Sequence, residues 1–145
     1  MAAIQHNAKL NDLVVDLGRS LLQYVGEGSA WCSDKQLQQR FQAWAESQRQ
    51  DVGRLVELLW NRGWPVDLGV YPNEFTDLQF LSLKYLLPKI STAQDRLVAE
   101  LDEAVHTCVD DPEAVTLLRE IEANECRIAE ELRSAAASLT PVAAA

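Results

Sequence analysis

GWPVDLGVYPNEFTDLQFLSLKYLLPKI, Gly63 to Ile90, joins two long stretches of helical periodicity. Helices that turn straight back on each other are usually linked by about two to eight residues. This link is far longer, which leaves the following helix free to run parallel to the preceding one, the order of a one-crossover helix bundle. Its second half carries Phe75, Leu78, Leu81 and Tyr85 on an apolar spacing. That spacing predicts a short helix ending or kinking at Pro88, where the ring removes a backbone donor.

Four long helices are predicted. The first spans Ala8 to Trp31 with Asn7 as its cap, on the stripe Leu10, Leu13/Val14, Leu17, Leu21, Tyr24/Val25, Gly28 and Trp31. The second opens with Ser33-Asp34-Lys35-Gln36, a capping box, runs through Trp60 and stops at Arg62-Gly63 with Pro65 beyond. The third covers Pro88 to Val109 through Ile90, Ala93/Gln94, Leu97, Leu101, Ala104 and Cys108. The fourth opens at Asp111-Pro112, acid as cap and proline at the first helical position, and continues to Leu139 through Leu118, Ile121, Glu125, Ile128 and Leu132. Nothing with strand periodicity competes, so the fold class is all-α. Residues 1–8 are expected as a flexible N-terminus, 9–139 as the bundle and 140–145 as a flexible tail.

A chain of 145 residues, 48% hydrophobic and 24% charged, has the composition of one globular domain rather than of a disordered segment. A net charge of −9 argues against nucleic acid and anionic membranes as partners, since phosphate binding needs a basic face. Cys32, Cys108 and Cys126 show no ligand spacing, and an odd number of scattered cysteines fits reduced thiols. The N-terminus lacks a signal-peptide pattern and no apolar run is long enough to span a bilayer. The expected location is cytoplasmic.

On the second helix the stripe Phe41, Trp44/Ala45, Val52, Leu55 and Leu59 is interrupted by Gln48, where a core would put an apolar side chain. Gln94 and Glu125 interrupt the third and fourth stripes in the same way.

The run LNDLVVDLGRSLLQYVGEG (Leu10–Gly28) followed by FQAWAESQRQDVGRLVELL (Phe41–Leu59) resembles bacterial ferritin-like domains. It is similar in particular to a stress-associated four-helix family that opens on a Leu-Asn-x-Leu helix. That family's second-helix spacing is matched at Phe41, Ala45 and Leu55. EIEANECRIAEELRSA (Glu120–Ala135) is similar to the last helix of rubrerythrin-type domains, where Glu-x-x-His precedes Ala-Glu-x-Leu. The resemblance covers residues 9–139 and implies a ferritin-like four-helix bundle with a long crossover between its second and third helices. In di-iron members two helices each offer a Glu and the other two a Glu-x-x-His.

Carried over, the resemblance implies that Gln48 and Asp51 stand where one Glu-x-x-His would be, and Glu125 and Ile128 where the other would be. The single-Glu positions fall at Leu17 and Gln94. The implied metal set is thus largely missing, and Gln48, Asp51, Gln94 and Glu125 mark a degenerate site. Three readings of these positions stay open: a buried amide network with a protonated Glu125, side chains at the rim of the stripe reaching water, or a working metal site.

Glu103-Ala104-Val105-His106 is a literal Glu-x-x-His, but at about 100° per residue His106 lies about 200° from the core-facing Ala104, so a solvated pair is expected. Glu100, Asp102 and Glu103 read as surface. Cys126 reads as a small buried hydrophobe rather than a redox thiol. Phe80 and Leu83 lie off the crossover stripe and suggest a face for a second subunit.

The expected function is therefore a metal-free, degenerate ferritin-like bundle acting as a structural or protein-interaction module. It is stress-associated by resemblance, homodimeric or part of an assembly, with no catalytic residues and no cofactor. The alternative is a di-iron oxidase, peroxidase or iron-storage protein using a divergent carboxylate site, with iron as cofactor.

Overall fold

The computed structural model describes residues 2–28 and 30–139, so the tail expected at 140–145 lies outside it. The described residues form α1 Ala2–Gly18, α2 Leu21–Glu27, α3 Lys35–Asn61, α4 Leu83–Thr107 and α5 Pro112–Leu139. A 3-10 helix, Asn73–Leu78, lies in the link between α3 and α4. Among the described residues, one bridge outside the helices pairs Trp31 with Ser82. The chain is all-α, as expected.

The element boundaries differ from the sequence reading at several places. α1 begins at Ala2, so residues expected as a flexible N-terminus form its first turns. Asn7 is no cap; it is buried within the helix and accepts from Arg62 Nη1 at 2.9 Å. The expected first helix breaks at Arg19, because Gly18 is a poor helix former and Ser20 offers its own hydroxyl to the backbone. Ser20 caps α2, accepting from Gln23 N at 3.2 Å. Asp34 rather than Ser33 caps α3, accepting from Leu37 N at 3.1 Å, and its carboxylate also suits the positive end of the helix dipole.

α4 starts at Leu83, capped by Ser82, and runs through Pro88. The proline is tolerated because Pro88 and Lys84 both face solvent, where the carbonyl it leaves unpaired is open to water. The predicted crossover helix shrinks to the 3-10 segment. Trp31, expected on the core stripe, is 68% exposed.

The end of α3 matches expectation. Gly63 takes a left-handed φ of +73°, and Trp64 N returns to Leu59 O at 3.0 Å. The crossover is then tied down onto α1. Asn11 and the Asp67 backbone exchange two hydrogen bonds, at 2.9 and 3.0 Å, and Arg19 Nε donates to the carbonyls of Leu68 and Gly69. Gly69, at φ +69°, is required there, since a Cβ would meet Val15 Cγ1 at 2.6 Å.

Side-chain contacts give the helix directions. Asn7 meets Arg62 and Ser20 meets Gln48, so α1–α2 runs antiparallel to α3. Lys9 lies near Glu103 and Asp16 near Glu100, so α1 also runs antiparallel to α4. α5 opposes both α3, through Trp44–Glu131 and Arg54–Glu120, and α4, through Asp95–Arg133 and Asp102–Arg119. α3 and α4 therefore point the same way, as the long link predicts.

The apolar interior is divided in two. One cluster gathers Leu10, Leu13, Leu17, Leu55, Leu59, Leu101, Leu118 and Ile121; the other gathers Leu22, Phe41, Trp44, Leu86, Ile90, Ile128 and Leu132. On α3, α4 and α5 the residue between the clusters is polar: Gln48, Gln94 and Glu125 respectively.

An ion-pair cluster closes one end of the molecule. Arg62 forks onto Asp111, with both nitrogen–oxygen distances 2.8 Å, and also reaches Asn7 and Glu113. Asp111 in turn caps α5 at Ala114 N, 3.2 Å. The Arg62 hydrogen bonds hold the Asp111 carboxyl below its ordinary range, against the opposing effect of burial. Its stabilisation is thus present above the ordinary carboxylate pKa and is lost as the pH falls through the lowered folded value. Asp111→Ala is expected to cost about 2–4 kcal/mol in urea denaturation at neutral pH, with the difference from the native chain shrinking toward about pH 3.

Candidate functional site

Gln48, Gln94 and Glu125 meet in the interior, each at most 1% exposed. The reading that placed them at a solvated rim does not hold. The Ser20 break matters here, because it turns the Ser20 hydroxyl and the Gln23 amide inward onto Gln48.

The hydrogen bonds run in one direction. Arg49 Nη1 donates to Gln23 Oε1 at 3.2 Å. Gln23 Nε2 spends its two hydrogens on Ala45 O, 2.8 Å, and Gln48 Oε1, 3.0 Å. Ser20 Oγ donates to the same Gln48 oxygen at 2.7 Å. Gln48 Nε2 then donates to Gln94 Oε1, 3.2 Å, and Glu125 Oε1, 2.8 Å. Gln94 Nε2 donates to Glu125 Oε1, 2.7 Å, and to the Glu125 carbonyl, 3.2 Å. Every amide hydrogen of the three glutamines is used, so their orientations are mutually fixed. The chain of donors ends at Glu125.

One atom is left over. Glu125 Oε2 is buried and receives no donor among the described residues. Asp51, 4% exposed, is the carboxyl that faces Glu125, and its Oδ2 accepts from Asn124 Nδ2 at 2.8 Å. Burial, first, and the hydrogen bond to Asp51, second, push Glu125 up to about 8, against the pull of the Gln94 and Gln48 donors. Glu125 is therefore neutral at pH 7, with its proton on Oε2 available to donate to Asp51. A proton here removes the cost of an isolated buried charge.

These residues do not fit a di-iron centre. Glu125 Oε1 faces two amide N–H groups, which occupy the directions a cation would need. The Gln48 oxygen is turned toward Ser20 and Gln23. Ile128 and Leu17, the other carried-over positions, lie in the apolar clusters. Among the described residues no three or more His, Cys, Asp or Glu side chains are grouped to hold a metal ion. What the arrangement does chemically is hold a proton and fix the relative positions of α2, α3, α4 and α5.

The remaining candidates divide. His106 and Glu103 project into solvent as expected, with His106 Nδ1 at 2.8 Å from the Asp102 carbonyl. Cys126 is only partly buried, and burial followed by its acidic neighbours pushes its thiol up, away from nucleophilic character. Glu100 corrects the sequence reading: its Oε2 is buried beside Asp16 and lacks a donor among the described residues. Burial and then Asp16 raise it to about 7. Leu83 is buried, so of the expected Phe80–Leu83 contact face only Phe80 remains exposed.

Sequence reasoning missed Ser20 and Gln23. A first helix drawn without interruption puts both off its apolar stripe, and only the Gly18-Arg19-Ser20 sequence signals the break that rotates them inward. Comparison with known proteins found no matching family model, no matching curated protein and no matching solved structure.

Proposed function

We propose that the chain is a ferritin-like four-helix bundle whose interior has exchanged metal ligands for a closed amide network, and that it serves as a cytoplasmic structural or protein-interaction module. The observation that carries this reading is the paired donation of Gln48 and Gln94 to Glu125 Oε1. In the ferritin-like arrangement that oxygen would face a cation, whereas here it faces hydrogens. The one-crossover order of helices supports the same assignment. Stress association rests on the resemblance of the first two helices and is part of the proposal. So is pairing as a homodimer, for which the exposed Leu68 and Val70 of the crossover offer apolar surface.

A second reading, a divergent iron site with oxidase, peroxidase or storage activity, has one observation in its favour: the donor-less Glu125 Oε2 beside Asp51. Anaerobic dialysis against ferrous or manganous ion, followed by elemental analysis and a peroxide-consumption assay, separates the two. The module reading expects metal content far below one ion per chain, unchanged by Glu125→Ala, and no peroxide turnover. About two ions per chain, lost in Glu125→Ala, would establish the iron site instead.

A further inference from the structure

A cavity of about 570 Å³ lies between the end of α2 and the end of the crossover, within the size range of small-molecule sites. Four aromatic side chains, Tyr24, Trp31, Tyr71 and Phe80, line it. Its walls are braced: Tyr24 and Tyr71 pack edge-on with centroids 5.2 Å apart, Gln79 Nε2 donates to the Tyr24 hydroxyl at 3.1 Å, and Leu83 N donates to Trp31 O at 2.9 Å.

Three features of this cavity bear on what it could hold. Phe80 is fully exposed at its rim and holds a φ of +69°, so a large aromatic ring is kept in strained backbone with no contact to repay it. The Tyr71 hydroxyl is buried, has no hydrogen bond of normal length among the described residues, and faces the Glu27 carboxylate and the Arg19 guanidinium. Glu27 is the cavity's one charged lining residue and makes no salt bridge among the described residues. Arg19 stacks against Tyr71 and lies beside its hydroxyl, but its Nε is committed to the Leu68 and Gly69 carbonyls and the residue does not line the cavity.

Aromatic faces attract cations through the ring quadrupole, a carboxylate without a salt bridge attracts an N–H donor, and the phenol oxygen beside it can accept one. The net charge of −9 steers cations toward the molecule. We propose that this cavity binds a primary organic amine on an apolar or aromatic body. The ammonium sits between Glu27 and the Tyr71 hydroxyl, and the body lies between Trp31 and Phe80. The site is independent of the buried amide network and of the module reading.

The test is isothermal titration of the full chain, at neutral pH, with 2-phenylethylamine, its neutral counterpart 2-phenylethanol, and benzyltrimethylammonium, which keeps the charge but has no N–H. Saturable one-to-one binding of the amine is expected, weaker by several-fold for the alcohol and in Glu27→Gln. The quaternary ion should bind more weakly than the amine. Phe80→Gly, which a φ of +69° accommodates without strain, should weaken the amine several-fold without lowering the melting temperature. Absence of saturable amine binding, equal affinity for amine and alcohol, or equal affinity for amine and quaternary ion would each overturn the proposal. So would a dimer, seen by sedimentation, that Phe80→Gly disperses while the amine leaves it intact, since the cavity would then belong to a second copy.

Discussion

Gln48→Leu should destabilise the fold by about 3–5 kcal/mol, as much as emptying a large side chain from the core, although it puts an apolar residue on an apolar stripe. Leucine has nearly the volume of glutamine, so the loss is one of hydrogen bonding. Ser20 Oγ would lose its acceptor, Gln94 Oε1 its donor, and Glu125 Oε1 one of its two donors. Gln23 Nε2 would keep only Ala45 O. Each group is buried where water cannot replace the partner, and such unmade bonds cost more than the made ones contribute. Urea denaturation of the two chains measures the difference. A Gln48→Leu protein as stable as the native one would mean that the amide is not holding the seam together.

Glu125→Gln is expected to do the opposite at alkaline pH. The new side chain can keep its oxygen facing the amides of Gln48 and Gln94 and turn its own NH2 toward Asp51, so every hydrogen bond of the protonated acid has a counterpart. In the native chain the folded-state pKa is raised from 4.5 to about 8. The folded form therefore holds the proton more tightly than the unfolded form. The stability this confers is fully present below about 4.5 and is lost as the pH rises through about 8. The window corresponds to a loss on the order of 4 kcal/mol, which the glutamine does not suffer. Thermal melts of both chains across the range should show near-equal stability at about pH 5 and a widening advantage for Glu125→Gln toward about pH 8.5. Taking the difference between the chains cancels other groups, such as Glu100, that titrate in the same interval.

The architecture was readable because its signals are periodic. The stripes through Phe41, Leu55 and Leu59, through Ile90, Leu97 and Leu101, and through Leu118, Ile121, Ile128 and Leu132 all lie inside. The length of the Gly63–Ile90 link foretold the parallel course of α3 and α4. Gln48, Gln94 and Glu125 were conspicuous as polar residues on those stripes, yet their spacing alone fits a rim as well as an interior network. The choice depends on which helices face which, a tertiary fact. Ser20 and Gln23 were hidden because the break at Arg19 is a local event that the apolar stripe, continued through Leu21 and Val25, does not mark. Trp31 lies outside the core because α2 ends at Glu27, short of it, and Pro88 is no boundary because its ring faces solvent, which cannot be read from the residue itself. The Trp31–Phe80 cavity is built by the crossover folding over the end of α2, and no local pattern announces such a meeting.

The middle of this molecule is a closed set of amide hydrogen bonds around a neutral carboxyl group. A carbon-13 NMR titration of the Glu125 side-chain carboxyl, assigned by its disappearance in Glu125→Gln, tests it most directly. A protonated carboxyl at about pH 6 that ionises only near pH 8 is expected. A resonance already ionised at about pH 6, with an ordinary midpoint near 4.5, would contradict it.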